Sequence, residues 1–469
     1  MKLSLRDYQI NAIEAARAAY RQGARAVLLT APTGAGKTVM FSHITESAAA
    51  RGREVVILVH RAELLRQTSR ALDELGVEHS LIAARGIYDP SCRVHVASAQ
   101  TLVRRVSRMH RLNPGLIVID EAHHACVGNT WGKILSHYPE AHILGVTATP
   151  ERLDGKGLGA HAKGYFEALV EGPSTADLIA RGYLSPIEYY APSELDLSGV
   201  RTVAGDYDKH AVGELFAERS STAARIHGDV VRHYRRQLNG SPAIAFCVSV
   251  DHARMVAATF RGAGYAAESI EGTLDDTVRA DRIRALGDGR LNVLTSCEIV
   301  SEGTDIPIVA GAILLRPTQS LVMFLQQVGR ALRIYPGKAR AVILDHVGNV
   351  HRHGLPTEKR EWSLDGKEAR KGKATGEVVR VKQCPECYHC HDPAPTCPKC
   401  GHVYETTGRE VEEVDGELEQ ITAEMLKRDR RRMVARAKTL EELQEVGRRL
   451  GHKPGWAWYV WQARNSKAA

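Results

Sequence analysis

The sequence predicts an α/β protein with two parallel sheets in tandem, followed by a cysteine-bound element and a short helical module. Three observations lead there. Short β-branched runs alternate with helix-length segments up to about residue 350. Those runs are apolar throughout rather than alternating, as strands covered on both faces must be. And five of the nine cysteines crowd between Cys384 and Cys400, beyond the last such run.

The first set of runs is "ARAVLLT", "EVVILVH", "RVHVAS", "GLIVID" and "HILGVTA", each bounded by turn residues. Between them lie segments such as "RAELLRQTSRALDELG", which puts Leu64, Leu65, Ala71, Leu72 and Leu75 on one helical face. A second set follows in "PAIAFCVSV", "LNVLTS", "AGAILL" and "RAVILDH". Strands alternating with helices favour parallel sheets, and the two sets read as two such units. Between them, "RLDGKGLGAHAKG" is expected to be a loop and "PSELDLSGVRTVAGDYDKH" an irregular or β excursion. The expected organisation is a first domain over 1–165, a second over 166–350 and a polar linker over 351–382. A four-cysteine element over 383–402 and a basic, aromatic module over 403–469 complete it.

Composition narrows the function. Hydrophobic residues make up 43% of the 469 and charged residues 25%, as in a globular protein. No apolar run approaches the roughly 18 residues of a membrane span, and the N-terminus lacks a signal-peptide core. A cytoplasmic protein without a membrane partner is expected. The net charge of +8 favours a polyanionic partner.

The stretch "LLTAPTGAGKTVMF" runs a strand through a glycine turn into a helix. That order builds a phosphate cradle, because backbone N–H groups of Thr33, Gly34, Ala35 and Gly36 can all point at one anion. Lys37 would lie by the outer phosphates, and Thr38 would bind Mg²⁺. The second half of such a site is an acidic pair ending another strand, and "LIVIDEAHH" supplies it. Asp120 is placed to hold the Mg²⁺ and Glu121 to orient and deprotonate an attacking water, which favours hydrolysis.

With these motifs in order, the chain resembles the superfamily 2 DEAD/DEAH-box helicases and translocases over roughly residues 3 to 350. The resemblance implies two RecA-like domains that share one ATP. It assigns "LRDYQ" to adenine recognition through Arg6 and Gln9, and "VHRAELLRQ" and "ASAQTL" to strand tracking, with Arg61, Gln100 and Thr101 as backbone contacts. "VTATP" would couple the nucleotide to the nucleic acid through Thr147 and Thr149, and His123 would link the site to the second domain. "LTSCEIVSEGTDIP" would turn Gly303, Thr304 and Asp305 toward the nucleotide. "QQVGRALR" would send Gln326, Arg330 and Arg333 across the cleft, the two arginines on one face of a helix. The stretch "GVTATPERLDGKGLG" is most similar to the XPB- and RadD-like group, of bacterial or prophage type, and to restriction-enzyme motors. That implies DNA, in repair or recombination, ahead of RNA.

In "CPECYHCHDPAPTCPKCG" two Cys-x2-Cys turns stand nine residues apart, which suits tetrahedral Zn²⁺ on Cys384, Cys387, Cys397 and Cys400. Cys390 is a fifth candidate, and an iron–sulfur cluster an alternative. In the tail, Trp456, Trp458, Tyr459 and Trp461 could stack on bases or, the preferred reading, pack a small helical module. The rival functions are an RNA helicase with the same chemistry, a restriction-type motor subunit with protein partners, and a non-catalytic nucleic-acid scaffold.

Overall fold

Both predicted sheets form. In the computed structural model, the described residues are 4–152, 154–191, 200–203, 206–208, 211–212, 230–297, 306–366, 381–404, 434, 437, 439–450 and 455–465. The first sheet holds β1 (Ala26–Thr30), β2 (Val55–Val59), β3 (Ser80–Ile82), β4 (Val94–Ser98), β5 (Leu116–Asp120), β6 (His142–Thr147) and β7 (Ala168–Glu171). All run parallel, in the order β3-β4-β2-β5-β6-β1-β7. Alternate side chains of one strand serve two cores. Val27 and Leu29 of β1 enter one apolar cluster, Ala26 and Leu28 the other; Val55, Ile57 and Val59 of β2 likewise oppose Val56 and Leu58.

Helices cover the faces: α1 (Asp7–Arg21), α2 (Lys37–Ala50), α3 (Ala62–Leu75), α4 (Ala99–Arg105), α5 (Thr130–Leu135) and α6 (Thr175–Ala180). The expected stripe on α3 is buried, joined by Thr68, and Gly76 closes the helix at φ +73°.

The second sheet joins β8 (Ile187–Tyr190) to β11 (Ala243–Phe246), β12 (Ala267–Ile270), β13 (Val293–Ser296), β14 (Gly311–Leu314) and β15 (Ala341–Asp345). It too is parallel, in the order β12-β13-β11-β14-β15-β8. Its helices are α7 (Val250–Gly262), α8 (Asp276–Gly287), α9 (Leu321–Gly329) and α10 (Asn349–His353). The expected β excursion is a small hairpin, β9 (Thr202–Val203) with β10 (Asp206–Tyr207). Buried Asp206 fastens it to the second lobe by accepting from the Gln319 backbone at 2.7 Å and the Thr318 hydroxyl at 3.0 Å.

The stretch expected to be a linker, 351–382, is structured through Gly366. It crosses back to the first lobe, where the Leu364 carbonyl accepts from the N–H groups of Leu158 and Gly159, at 2.9 and 3.0 Å. Asp365 pairs with His161 at 2.7 Å. A Cβ on Gly157 would lie 2.3 Å from that carbonyl, so the glycine-rich loop is a clasp that admits no side chain there.

The hairpin of β16 (Lys382–Gln383) and β17 (Cys390–His391) opens the cysteine element, which covers the free edge of β8. Ala191 donates to the Tyr388 carbonyl at 3.2 Å, and Lys399 pairs with Glu188 at 2.7 Å.

Residues 405–469 form a separate unit. There α11 (Leu440–Arg449) packs on α12 (Trp456–Asn465) around buried Leu443 and Ala457, with Trp456 against them. The preferred packing reading therefore fits Trp456, whereas Trp458, Tyr459 and Trp461 stay exposed. The basic run "KRDRRRM" lies outside the described residues. Among the described residues, no helix is long and apolar enough to cross a membrane.

Candidate nucleotide site and metal centre

Parallel sheets gather their loops at the carboxyl ends of the strands, where ligands bind. The phosphate loop follows β1, the acidic pair follows β5 and the threonine motif follows β6. The order β5-β6-β1 makes these three strands neighbours. Topology alone thus brings Lys37, Asp120, Glu121, Thr147 and Thr149 to one place.

The loop needs its glycines. Gly34 sits at φ +89° and Gly36 at φ +77°, the left-handed region that side chains disfavour. Space forbids a side chain as well: a Cβ on Gly36 would lie 2.5 Å from Gln9 Nε2, and one on Gly34 2.9 Å from the Leu184 side chain. Lys37 Nζ folds back to the carbonyls of Ala31 and Pro32, at 3.2 and 3.4 Å. Its pKa is lowered, first by burial, which Glu121 and Asp120 oppose and Arg330 and Arg333 reinforce. All four charges act on one ammonium, and they come from both lobes. Thr38 Oγ1 accepts from Gln67 of α3 at 3.4 Å.

Asp120 is buried, and its carboxylate accepts from the N–H of Glu121 at 3.0 Å. Glu121 itself stands at φ +51°, an uncommon conformation for a residue with a side chain. From it a polar chain runs inward. Glu121 Oε2 is 3.4 Å from His123 Nδ1, which is 3.0 Å from Thr147 Oγ1. That hydroxyl donates to the Thr149 carbonyl at 3.1 Å.

The second lobe meets the loop closely. A Cβ on Gly329, the last residue of α9, would be 2.5 Å from Thr33 Cβ. The arginines differ from expectation in one respect. Helix α9 ends at Gly329, so Arg330 is its C-cap and Arg333 lies beyond it, bridged to Leu184. They do not share a helical face. The turn between them is held by Lys338, whose Nζ donates to the carbonyls of Val309, Ala331 and Arg333 at 2.7, 2.6 and 2.5 Å. Gln326 is buried at 4% exposure, and its Nε2 has no hydrogen-bond partner among the described residues. A buried amide left unpaired is costly, and a bound phosphate or water would satisfy it.

The adenine motif is placed differently from a simple base contact. Gln9 Oε1 accepts from the Arg6 backbone at 2.9 Å, and Nε2 donates to the Ala35 carbonyl at 3.1 Å, beside the Tyr8 hydroxyl at 2.9 Å. Gln9 therefore braces the phosphate loop. The Arg6 guanidinium lies 4.5 Å over the Tyr183 ring. Tyr183 and Lys338 are neighbours of the site that the sequence reading missed, since neither lies in a recognisable motif; Gln67 ends the motif "VHRAELLRQ" but carried no assigned role there. Gly303, Thr304 and Asp305 lie outside the described residues.

Arg61 caps the start of α3 after β2, while Gln100 and Thr101 open α4 after β4. These strands are adjacent, so the three residues share the same end of the sheet.

In the cysteine element, the sulfurs of Cys384, Cys387, Cys397 and Cys400 all lie within 4.8 Å of one another. Two of the separations are 3.5 and 3.7 Å. A tetrahedral ion with 2.3 Å bonds to sulfur requires about 3.8 Å between sulfurs. The two turns repeat one geometry, with Tyr388 (φ +60°) and Gly401 (φ +75°) donating to the carbonyls of Cys384 and Cys397, both at 2.9 Å. The four sulfurs could hold a metal ion. Cys390 stands apart, buried against the second lobe with its sulfur 3.8 Å from the Tyr388 carbonyl.

Comparison with known proteins agrees with this architecture. Residues 2–152 match the family "Type III restriction enzyme, res subunit", and residues 219–335 match "Helicase conserved C-terminal domain". A 51.5 kDa protein of a Lactococcus phage (isolate 7-9) is 33% identical over 85% of this chain and 83% of its own length. A protein of Saccharomyces cerevisiae named for an ATP-dependent helicase, IRC3, is 28% identical over 73% of this chain. The match spans 51% of the yeast protein, about half its length. The ATP-dependent Type ISP restriction-modification enzyme LlaBIII, solved bound to DNA, superposes with a TM-score of 0.54 at 18% identity. That overlap covers 79% of this chain and 29% of that one. Such a family implies ATP and Mg²⁺ as ligands. The chain belongs to the superfamily 2 helicases of the DEAD/DEAH type, in their restriction-like group.

Proposed function

We propose that the chain is an ATP-driven DNA translocase or helicase. The observation that carries this reading is the close meeting of the second lobe with the phosphate loop, Gly329 against Thr33 and the Arg333 side chain beside Gly34. Carboxylates of the first lobe and guanidinium groups of the second act together on the Lys37 ammonium. Lys37 and the loop N–H groups bind the phosphates, Thr38 and Asp120 hold Mg²⁺, and Glu121 orients water. Gln326, Arg330 and Arg333 complete the site from across the cleft. Hydrolysis then changes what the second lobe can hold, so the cleft opens and closes. Arg61, Gln100 and Thr101 grip a strand's backbone, and the cycle becomes movement. DNA is favoured by the restriction-type relationship. A cytoplasmic protein in repair, recombination or restriction is the setting we favour.

The test is ATPase activity with matched single- and double-stranded DNA and RNA. Stimulation by DNA is expected. Stimulation by RNA alone would replace the substrate, and hydrolysis no faster than that of Lys37→Ala would leave a non-catalytic scaffold.

We further propose that the four thiolates bind Zn²⁺ in a structural role, since no coordination position stays open. About one zinc per chain is expected, lost in Cys397→Ser/Cys400→Ser. Because the element covers the edge of β8, zinc removal should speed amide exchange in β8 and leave β1 and β5 unchanged. Bound iron, or exchange in β8 that ignores the metal, would refute this.

A further inference from the structure

Between Asp89 and Asp120 the chain carries no acidic residue, yet it holds Arg93, Arg104, Arg105, Arg108 and Arg111. Three of these, Arg104, Arg105 and Arg108, lie on α4 and the 3-10 turn Val106–Arg108 that continues it, and Arg111 follows three residues later. Thr101, Arg104, Arg105 and Arg108 recur at helical spacing and so form one stripe, while Ala99, Leu102 and Val106 enter the core on the other side. Arg104, Arg105, Arg108 and Arg111 are all exposed. None forms an ion pair or a side-chain hydrogen bond among the described residues. Helix α5, packed beside α4, adds exposed Lys133 and no carboxylate. Like charges so close repel one another, and folding gains nothing from gathering them. A partner that supplies negative charge would explain the arrangement.

The stripe also has a direction. Helix α4 leaves the carboxyl end of β4, and the next strand, parallel β5, begins at the opposite end of the sheet. The chain must therefore descend the side of the lobe. The arginines lead away from Thr101, one of the residues proposed to grip the tracked strand, by about 10 Å of helix. A single strand laid across the strand ends does not follow them. The major groove of B-form DNA is about 12 Å wide, so phosphates of a complementary strand lie at that distance from the tracked one.

We propose that Arg104, Arg105, Arg108 and Arg111 bind phosphates of the second strand, making double-stranded DNA the substrate that this lobe engages. The proposal rests on the DNA-motor reading and adds the strand that reading leaves unspecified. Contacts of this kind carry no base sequence and fade with salt.

The experiment measures binding of one 30-base-pair DNA duplex, its single strand and the matching RNA duplex at several salt concentrations. Wild type is compared with Arg104→Ala/Arg105→Ala/Arg108→Ala/Arg111→Ala and with the corresponding four-lysine variant, after melting curves verify folding. The alanine variant should lose about 0.9 of the salt slope per contact, roughly three to four in all, on duplex DNA. Its duplex affinity at 0.1 M salt should fall at least ~10²-fold, with single-strand affinity unchanged within about twofold. The lysine variant should recover most of the slope, because a point charge suffices for a phosphate. Equal losses on both DNA forms, no loss on either, or a loss confined to the RNA duplex would overturn the proposal. Failure of the motor reading looks different: wild-type ATPase would then respond to no nucleic acid at all.

Discussion

Arg333→Ala is expected to lower kcat by about 10³-fold or more, while equilibrium binding of ATP changes only a few fold. The reason is positional. Arg333 Cγ lies 3.8 Å from where a Cβ of Gly34 would stand, so the side chain leaves the backbone beside the phosphate loop, and its charge acts on Lys37. Negative charge spreads over the γ-phosphoryl oxygens only as the bond breaks, and a cation fixed there acts on that state more than on bound ATP. Arg330 is 7% exposed and lies at the helix end, so its removal should act in the same sense. Lys338 provides a finer probe, since it holds the backbone carbonyl of Arg333 without facing the loop itself. Lys338→Met should give a smaller loss of kcat by loosening that turn. Steady-state kinetics and calorimetric nucleotide binding on each variant decide the matter. A loss confined to affinity would remove the arginines from the reaction and leave them as ordinary ATP contacts.

The sequence made the central strands legible and the edges obscure. Strand β2 is five apolar residues buried on both faces, and nothing else in the chain could accommodate such a run. Strands β3, β7, β8 and β12 went unread because each is a sheet edge with a single neighbour. Glu188 on β8 and Glu268 on β12 could stay polar there, and the apolar signal vanished with the burial. The phosphate loop and acidic pair were readable because each is local, a few residues whose backbone builds the site. What escaped was made by distant contact. Lys338 reaches three carbonyls, and Leu364 closes on Gly157, through packing that no spacing rule encodes. The arginine pair shows the limit of periodicity. Three residues apart suggested one helical face, but Arg333 falls after the helix has ended and arrives by an extended bridge. Its placement beside the loop is a tertiary fact, set by Leu184 and Lys338.

Glu121→Gln should retain ATP and slow its cleavage by about 10²- to 10⁴-fold, the usual contribution of a general base. The amide keeps the size of the carboxylate and can still orient water, but it cannot take the proton. The backbone argues for a role beyond packing, since φ +51° is strained for glutamate and is held between buried Asp120 and His123. The chain from Glu121 through His123 to Thr147 and Thr149 gives the same residue a second duty. Whatever moves the carboxylate shifts the imidazole 3.4 Å away, and with it the threonine hydroxyl. Base and coupling element can therefore be separated experimentally. Glu121→Gln should fail in a single turnover, with or without DNA. His123→Ala should retain much of its DNA-free hydrolysis and lose the stimulation by DNA. If Glu121→Gln hydrolyses bound ATP at the wild-type rate, the carboxylate is not the base. If His123→Ala remains fully DNA-stimulated, the polar chain carries no signal.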